Sequence, residues 1–326
     1  MEQVEKLKVI EKIIEQIFMS HSIAIAGHVS PDGDAVASCL ALARCVKKLG
    51  KEPVVLLESA PKRYSFIAGQ EFIKFDGYEQ LKPDLFISCD CGSKERMGKA
   101  EHLFDSMENT VVVDHHISNN NYGRLNYVDP HASSTCEMVY DIIALVDNID
   151  VEIASAIYTG IIFDTGGLRF GSTSPDTMVK ISKLMEYNIP FTEIYTKTML
   201  THSYEETQIF SKAIGKMKFA ENLPIVFTSV SLEEMQAVNA GKEDLEGIVE
   251  YMLNTKGAAV SVFIYQTGEN MSKASFRSVR FNVNEIAANW GGGGHVNASG
   301  ATLGLKPDEA VKEVMAYICE RYAKWS

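Results

Sequence analysis

Four strings in the first half of the chain carry residues able to bind metal or move protons. They are His28-Val-Ser-Pro-Asp32-Gly-Asp34, Cys89-Asp90-Cys91-Gly92, Asp114-His115-His116 and Phe163-Asp164-Thr165-Gly166. Carboxylates gathered in one crevice repel one another, and bound cations are the most direct compensation. Oxygen-rich ligation with one or two imidazoles suits Mn²⁺ or Mg²⁺ better than a thiolate-bound zinc. Two such ions about 4 Å apart form an arrangement used for phosphoester hydrolysis. Each string alone is weak, since Asp-x-Asp beside Pro31 and Gly33 is ordinary turn chemistry. Their joint occurrence carries the inference, because three of the four directly follow apolar runs.

Those runs define the elements that must position the strings. Ser22–Ala26, Val54–Leu57, Leu85–Cys89 and Thr110–Val113 read as strands, and Ala35–Leu49 reads as a helix closed by Gly50. Ser134 followed by Glu137 is a capping-box signature for a helix running to about Val146. Further helices are expected over Val151–Phe163 and Pro175–Tyr187. In a parallel sheet the carboxyl ends of the strands share one edge, where ligands bind. The strings from His28 to His116 should therefore meet at one rim. Asp164 joins them only if its helix ends there. Strand alternation points Cys89 and Cys91 away from the carboxylate between them.

The fold class expected is α/β. Residues 1–190 form a catalytic domain with a mainly parallel sheet flanked by helices. Residues 191–220 form a helical linker, and residues 221–326 a smaller α+β domain across a cleft. In that last region, 224–230, 258–265 and 272–278 read as strands, with helices over 245–254 and 308–325. At the N-terminus, Val4, Leu7, Ile10, Ile14 and Ile17 recur at helical spacing within a charged sequence, which marks an amphipathic helix rather than a signal peptide.

Composition narrows the classes of partner. The 326 residues carry a net charge of −12, and residues 221–326 are themselves acidic. That acidic balance argues against a role on duplex nucleic acid, which needs a broad basic face, and is compatible with a small nucleotide in a pocket. No apolar run approaches a membrane span. Six cysteines are too few for a disulfide scaffold and suit buried thiols in the cytoplasm.

A second feature lies near the end of the chain. Trp290 is followed by Gly291, Gly292, Gly293, Gly294 and His295. Such a run lets backbone N–H groups approach an anion, and Arg277 nearby can grip phosphate with a bidentate fork. Arg277, Ser278, Gly293, Gly294 and His295 are accordingly the candidate phosphate clamp.

The strings HVSPDGDAVAS, DCGS, VVDHH and FDTGG resemble, in order, the signature motifs of the DHH phosphoesterase superfamily. FRS and GGGGHVNASGA resemble its DHHA1 accessory domain. The resemblance spans essentially the whole chain and is closest to the stand-alone subgroup. That subgroup degrades very short oligoribonucleotides to nucleoside 5′-monophosphates and dephosphorylates 3′-phosphoadenosine 5′-phosphate (pAp) to AMP. The resemblance implies one metal held by His28, Asp32 and Asp90, and a second by Asp34, Asp90, His115 and Asp164, with Asp90 bridging. Asp114 would orient a neighbouring histidine, and His116 would face the scissile phosphate. Two divalent ions are implied, Mn²⁺ first and Mg²⁺ as the alternative. The implied substrates are 2–5-mers, pAp or pApA, with neither duplex nor membrane as partner and homodimer formation left open. The alternatives are a dedicated pApA phosphodiesterase of cyclic di-AMP turnover and a non-catalytic nucleotide-binding regulator. The latter should have lost metal ligands, yet every one is present.

Overall fold

The computed structural model describes residues 3–322. Residues 1–2 and 323–326, the outer ends of the two expected terminal helices, lie outside the described residues. The chain divides into two compact units, the first ending at Thr201 and the second beginning at His202.

In the first unit six strands form one sheet: β1 (Ser22–Ala26), β2 (Glu52–Leu56), β3 (Ile73–Lys74), β4 (Leu85–Cys89), β5 (Thr110–Asp114) and β6 (Leu125–Val128). Their order is β3-β2-β1-β4-β5-β6, with every pairing parallel. The winding direction reverses between β1 and β4, and the crevice outside the carboxyl ends at such a reversal is where open α/β sheets bind ligands. His28 follows β1 and Asp90 follows β4, so both stand at this point.

Among the described residues, seven α-helices belong to this unit: α1 (Gln3–Met19), α2 (Gly33–Lys48), α3 (Glu101–Asp105), α4 (Thr135–Leu145), α5 (Val151–Asp164), α6 (Pro175–Met185) and α7 (Phe191–Tyr195). Ile23, Ile25, Ile87, Val111 and Val113 pack one sheet face into a core with α1, α2, α4 and α5. Ala24, Ala26, Phe86 and Val112 pack the other face against Met97, Leu103 and Phe104. Burial on both faces explains why the central strands read as continuous apolar runs rather than as alternating ones. None of the described helices is long and apolar enough to cross a membrane.

The second unit has its own six-stranded sheet, of mixed direction. Its strands are β7 (Lys218–Phe219), β8 (Ile225–Val230), β9 (Val260–Gly268), β10 (Met271–Ser278), β11 (Gly293–His295) and β12 (Ala298–Leu303), in the order β11-β12-β10-β9-β8-β7. Helices α8 (Tyr204–Gly215), α9 (Leu232–Gln236), α10 (Ile248–Leu253), α11 (Val283–Ala288) and α12 (Pro307–Tyr322) complete it.

The stretch 191–220 is mostly helical, but it is shared between the two cores. Ile194 of α7 is buried in the first unit, and Ile209 and Ala213 of α8 are buried in the second. Part of the glycine run forms β11, because its backbone pairs with the small-residue strand β12.

Candidate metal centre

The two aspartates after β1 cap two different helices. Asp32 is the N-cap of α2, and its Oδ1 accepts the N–H groups of Asp34 and Ala35 at 3.0 and 3.1 Å. Its Oδ2 is left facing His28 Nε2 at 3.7 Å. Asp34 is fully buried and accepts from the first turn of α4: Thr135 N–H at 2.6 Å on Oδ2 and Cys136 N–H at 2.9 Å on Oδ1. The Asp-x-Asp spacing thus puts one carboxylate at its own helix start and aims the other at a second helix start, where the exposed amides favour negative charge.

Asp90 sits just past β4 with a positive φ of 59°, a strained backbone for a non-glycine residue. Its two oxygens face different imidazoles. Oδ2 lies 3.6 Å from His28 Nε2, and Oδ1 lies 3.6 Å from His115 Nε2. Asp164 is the last residue of α5, and its Oδ2 is 3.1 Å from His115 Nε2. The structure therefore brings together all six expected ligands. Three sets of possible donor atoms each lie within 4.8 Å: His28 with Asp32 and Asp90, Asp34 with His115 and Asp164, and Asp90 with His115 and His116. Asp90 and His115 belong to two sets each.

Second partners fix the imidazoles. His28 Nδ1 lies 2.9 Å from the carbonyl of Val29, and His115 Nδ1 lies 3.3 Å from that of Ala132. Donation from Nδ1 would leave Nε2 of each ring free to ligate a cation shared with the carboxylates. His116 differs, because its Nδ1 is 2.7 Å from Asp114 Oδ1 while Asn119 Nδ2 donates to Asp114 Oδ2 at 2.7 Å. Asp114 therefore orients His116, whose half-exposed ring can present Nε2 outward.

The electrostatics call for added positive charge. Burial and repulsion from Asp32 and Asp164 push Asp90 up to about 7. Burial alone would pull His115 down, but its bond to Asp164 and the fields of Asp34, Asp164 and Asp90 carry it up to about 10. Protons thus do the balancing when only protein atoms are present, and hard divalent cations would do it better with these oxygen and imidazole donors. The donor set fits such ions.

The candidate clamp in the second unit is assembled by strand register. Arg277 of β10, Ala298 of β12 and His295 of β11 are level across three adjacent strands. Residues paired in this way share a sheet face, so Arg277 and His295 flank the small side chain of Ala298. Two residues further along each strand, Gly300 lies between Ser275 and Gly293. A Cβ on Gly293 would meet nothing closer than Asn284 Oδ1 at 3.7 Å, so this backbone is open to a ligand. Gly294, by contrast, is required by packing, because its Cβ would stand 2.5 Å from the carbonyl of Ala298. Ser278, expected in the clamp, is instead buried, and its hydroxyl donates to the carbonyl of Phe281 while accepting the Phe281 N–H. It closes a turn, with both of these bonds made inside the second unit.

Residues 22–161 match the DHH family, N-terminal domain, and residues 222–324 match the DHHA1 domain. The chain is 30% identical over 325 residues to the bifunctional oligoribonuclease and PAP phosphatase NrnA of Thermus thermophilus, covering 98% of this chain and 95% of that one. The chain belongs to the DHH family. The protein of the same description from Bacillus subtilis is 26% identical over 309 residues, covering 90% of this chain and 92% of that one. The crystal structure of an exopolyphosphatase-related protein from Bacteroides fragilis superposes with a TM-score of 0.90 at 29% identity, covering 97% and 96% of the two chains.

Two residues of this DHH centre escaped the sequence reading. Thr135 Oγ1 donates to Asp90 Oδ1 at 3.0 Å, and the exposed Arg96 brings Nη2 to 3.3 Å from His28 Nδ1. The Ser134–Glu137 capping box located the start of α4, but nothing in it shows which carboxylate the helix start faces. Arg96 carries no sequence signal at all.

Proposed function

We propose that the chain is a two-metal phosphodiesterase that degrades very short oligoribonucleotides to nucleoside 5′-monophosphates and dephosphorylates pAp to AMP. The observation that carries this reading is the placement of Asp90, whose two oxygens face two separate donor sets (His28 with Asp32, and His115). That arrangement suits a carboxylate bridging two ions. His28, Asp32 and Asp90 would hold one, and Asp34, Asp90, His115 and Asp164 the other, with Mn²⁺ the proposed metal. When bound, the ions would supply charge for the phosphoryl oxygens and make water acidic enough to act as a nucleophile at neutral pH.

The remaining roles fall to side chains. His116, held through Nδ1 by Asp114, presents Nε2 as the proton donor to the leaving 3′-oxygen. Arg277 and His295 grip a phosphate or nucleotide edge, and Gly293 lets the backbone approach it. Both proposed reactions break the same P–O3′ bond and differ only in whether the phosphoryl group carries a further nucleoside. One centre can therefore serve an oligonucleotide and pAp.

The test is a panel of 2–5-mers, pAp and pApA incubated with Mn²⁺ or Mg²⁺, with the products separated and identified. Nucleoside 5′-monophosphates from the oligomers and AMP from pAp are expected. Turnover of pApA alone would point to a dedicated pApA phosphodiesterase, and no hydrolysis of any member would overturn the reading.

A further inference from the structure

We infer that Thr135 is a positioning residue that sets the orientation of the two innermost carboxylates, Asp34 and Asp90, for divalent-ion binding. Among the described residues it is the one that hydrogen-bonds to both. Its backbone N–H donates to Asp34 Oδ2 at 2.6 Å and its hydroxyl to Asp90 Oδ1 at 3.0 Å. All three residues are buried. The hydroxyl contact falls on the Asp90 oxygen that faces His115, while the other oxygen faces His28. Rotation of the Asp90 carboxylate would take both oxygens away from their donor sets, and the threonine hydroxyl opposes that rotation.

Thr135 is itself held from behind. Ser134 caps α4 by accepting the Glu137 N–H at 3.0 Å. The buried Glu137 carboxylate accepts Ser133 N–H at 3.1 Å, the Ser133 hydroxyl, Thr177 Oγ1 at 2.8 Å and Lys180 Nζ at 3.2 Å. The start of α4 is thereby tied to α6, and β-branching restricts the rotamers of Thr135. Groups that orient ligands in this way change metal affinity by roughly 10–100-fold when removed.

The inference rests on the metal reading of the centre but not on the substrate. Its test is Mn²⁺ titration of the full-length protein without substrate, following free Mn²⁺ by electron paramagnetic resonance. Thr135→Val, nearly isosteric, is expected to weaken Mn²⁺ binding roughly 10-fold or more. Thr135→Ser, which keeps the hydroxyl, should bind like the wild type. With substrate, Thr135→Val should lower kcat and leave KM nearly unchanged. Should Thr135→Val fail to fold, the same comparison is made between Thr135→Ser and Thr135→Ala. Wild-type affinity in the variant lacking the hydroxyl, or equal loss in Thr135→Ser, overturns the inference. Wild-type protein that binds Mn²⁺ yet hydrolyses none of the panel defeats the proposed activity and leaves this inference standing.

Discussion

A Cβ added to Gly160 would stand 2.6 Å from Oδ1 of Asp34. Gly160 lies mid-way along α5, where that helix presses against the start of α4, and the same Cβ would also run into Cys136 Sγ. The N–H of Cys136 is one of the two that hold Asp34. Gly160→Ala must therefore displace either the carboxylate or its donor. Displacement near 1 Å costs about 100-fold in rate, and kcat/KM should fall by that order. Circular dichroism should still report a folded protein. Unchanged Mn²⁺ affinity and turnover in Gly160→Ala would remove Asp34 from the ligand set.

Asp90→Asn isolates charge from shape. Asparagine tolerates the positive φ at this position and keeps an acceptor for Thr135. Turnover should fall to background, because a neutral amide is a poor bridge between cations. The metal-free protein should melt no lower than the wild type at pH 8, since a buried charge facing Asp32 and Asp164 has been removed. Near-native activity would show that Asp90 does not bridge.

The same charges set a pH dependence with a definite sign. Asp90 is raised to about 7 in the fold, so its contribution favours the folded state at low pH and is lost as pH climbs from the ordinary carboxylate range through 7. His115 is raised to about 10, so its contribution is full below 6.5 and disappears as pH rises through 10. From these two groups, metal-free protein in EDTA should lose melting temperature between pH 6 and 9. Saturating Mn²⁺ should flatten or reverse that slope, because deprotonated ligands bind the ion. A metal-free melting temperature that rises over this range contradicts the charge balance described for the centre.

Lys180 offers a stability test away from the proposed metal ligands. It is buried, and its ammonium lies 3.2 Å from Glu137, 3.0 Å from Asp141 and 2.9 Å from Asp176. Burial pulls its pKa down, but Asp141 and Glu137 outweigh that and hold it charged. Lys180→Met leaves the buried Glu137 without its cation and should cost roughly 3–5 kcal/mol in urea unfolding. A loss under about 1 kcal/mol would show that solvent already screens the group as it does a surface pair.

Much of the candidate metal centre was legible in the chain because strand ends are legible. Once Leu85–Cys89 and Thr110–Asp114 are apolar parallel strands, Asp90 and His115 have to emerge on one edge. Asp164 was harder, since a helix can end anywhere, and only the structure brings it to 3.1 Å from His115. Thr135 was hidden for a different reason. Its partners are 101 and 45 residues away in sequence, and no local pattern encodes the face of α4 that they meet. Ser278 failed in the opposite sense: adjacency to Arg277 suggested a shared task, but alternation along β10 turns neighbouring side chains to opposite faces.

That alternation separates two effects within one dipeptide. Arg277 is partly exposed, and its Nη2 pairs with Glu250 Oε1 at 2.6 Å, a contact that a phosphate would have to displace or share. Arg277→Ala should chiefly raise KM for oligonucleotide and pAp and leave kcat within a few-fold, as expected for a group that grips without reacting. Ser278→Ala should instead leave KM alone and lower stability by about 1–3 kcal/mol, because the Phe281 carbonyl and N–H lose their buried partner. Steady-state kinetics and thermal melts on both variants distinguish the roles. A KM effect in Ser278→Ala at unchanged stability would return that hydroxyl to the substrate side.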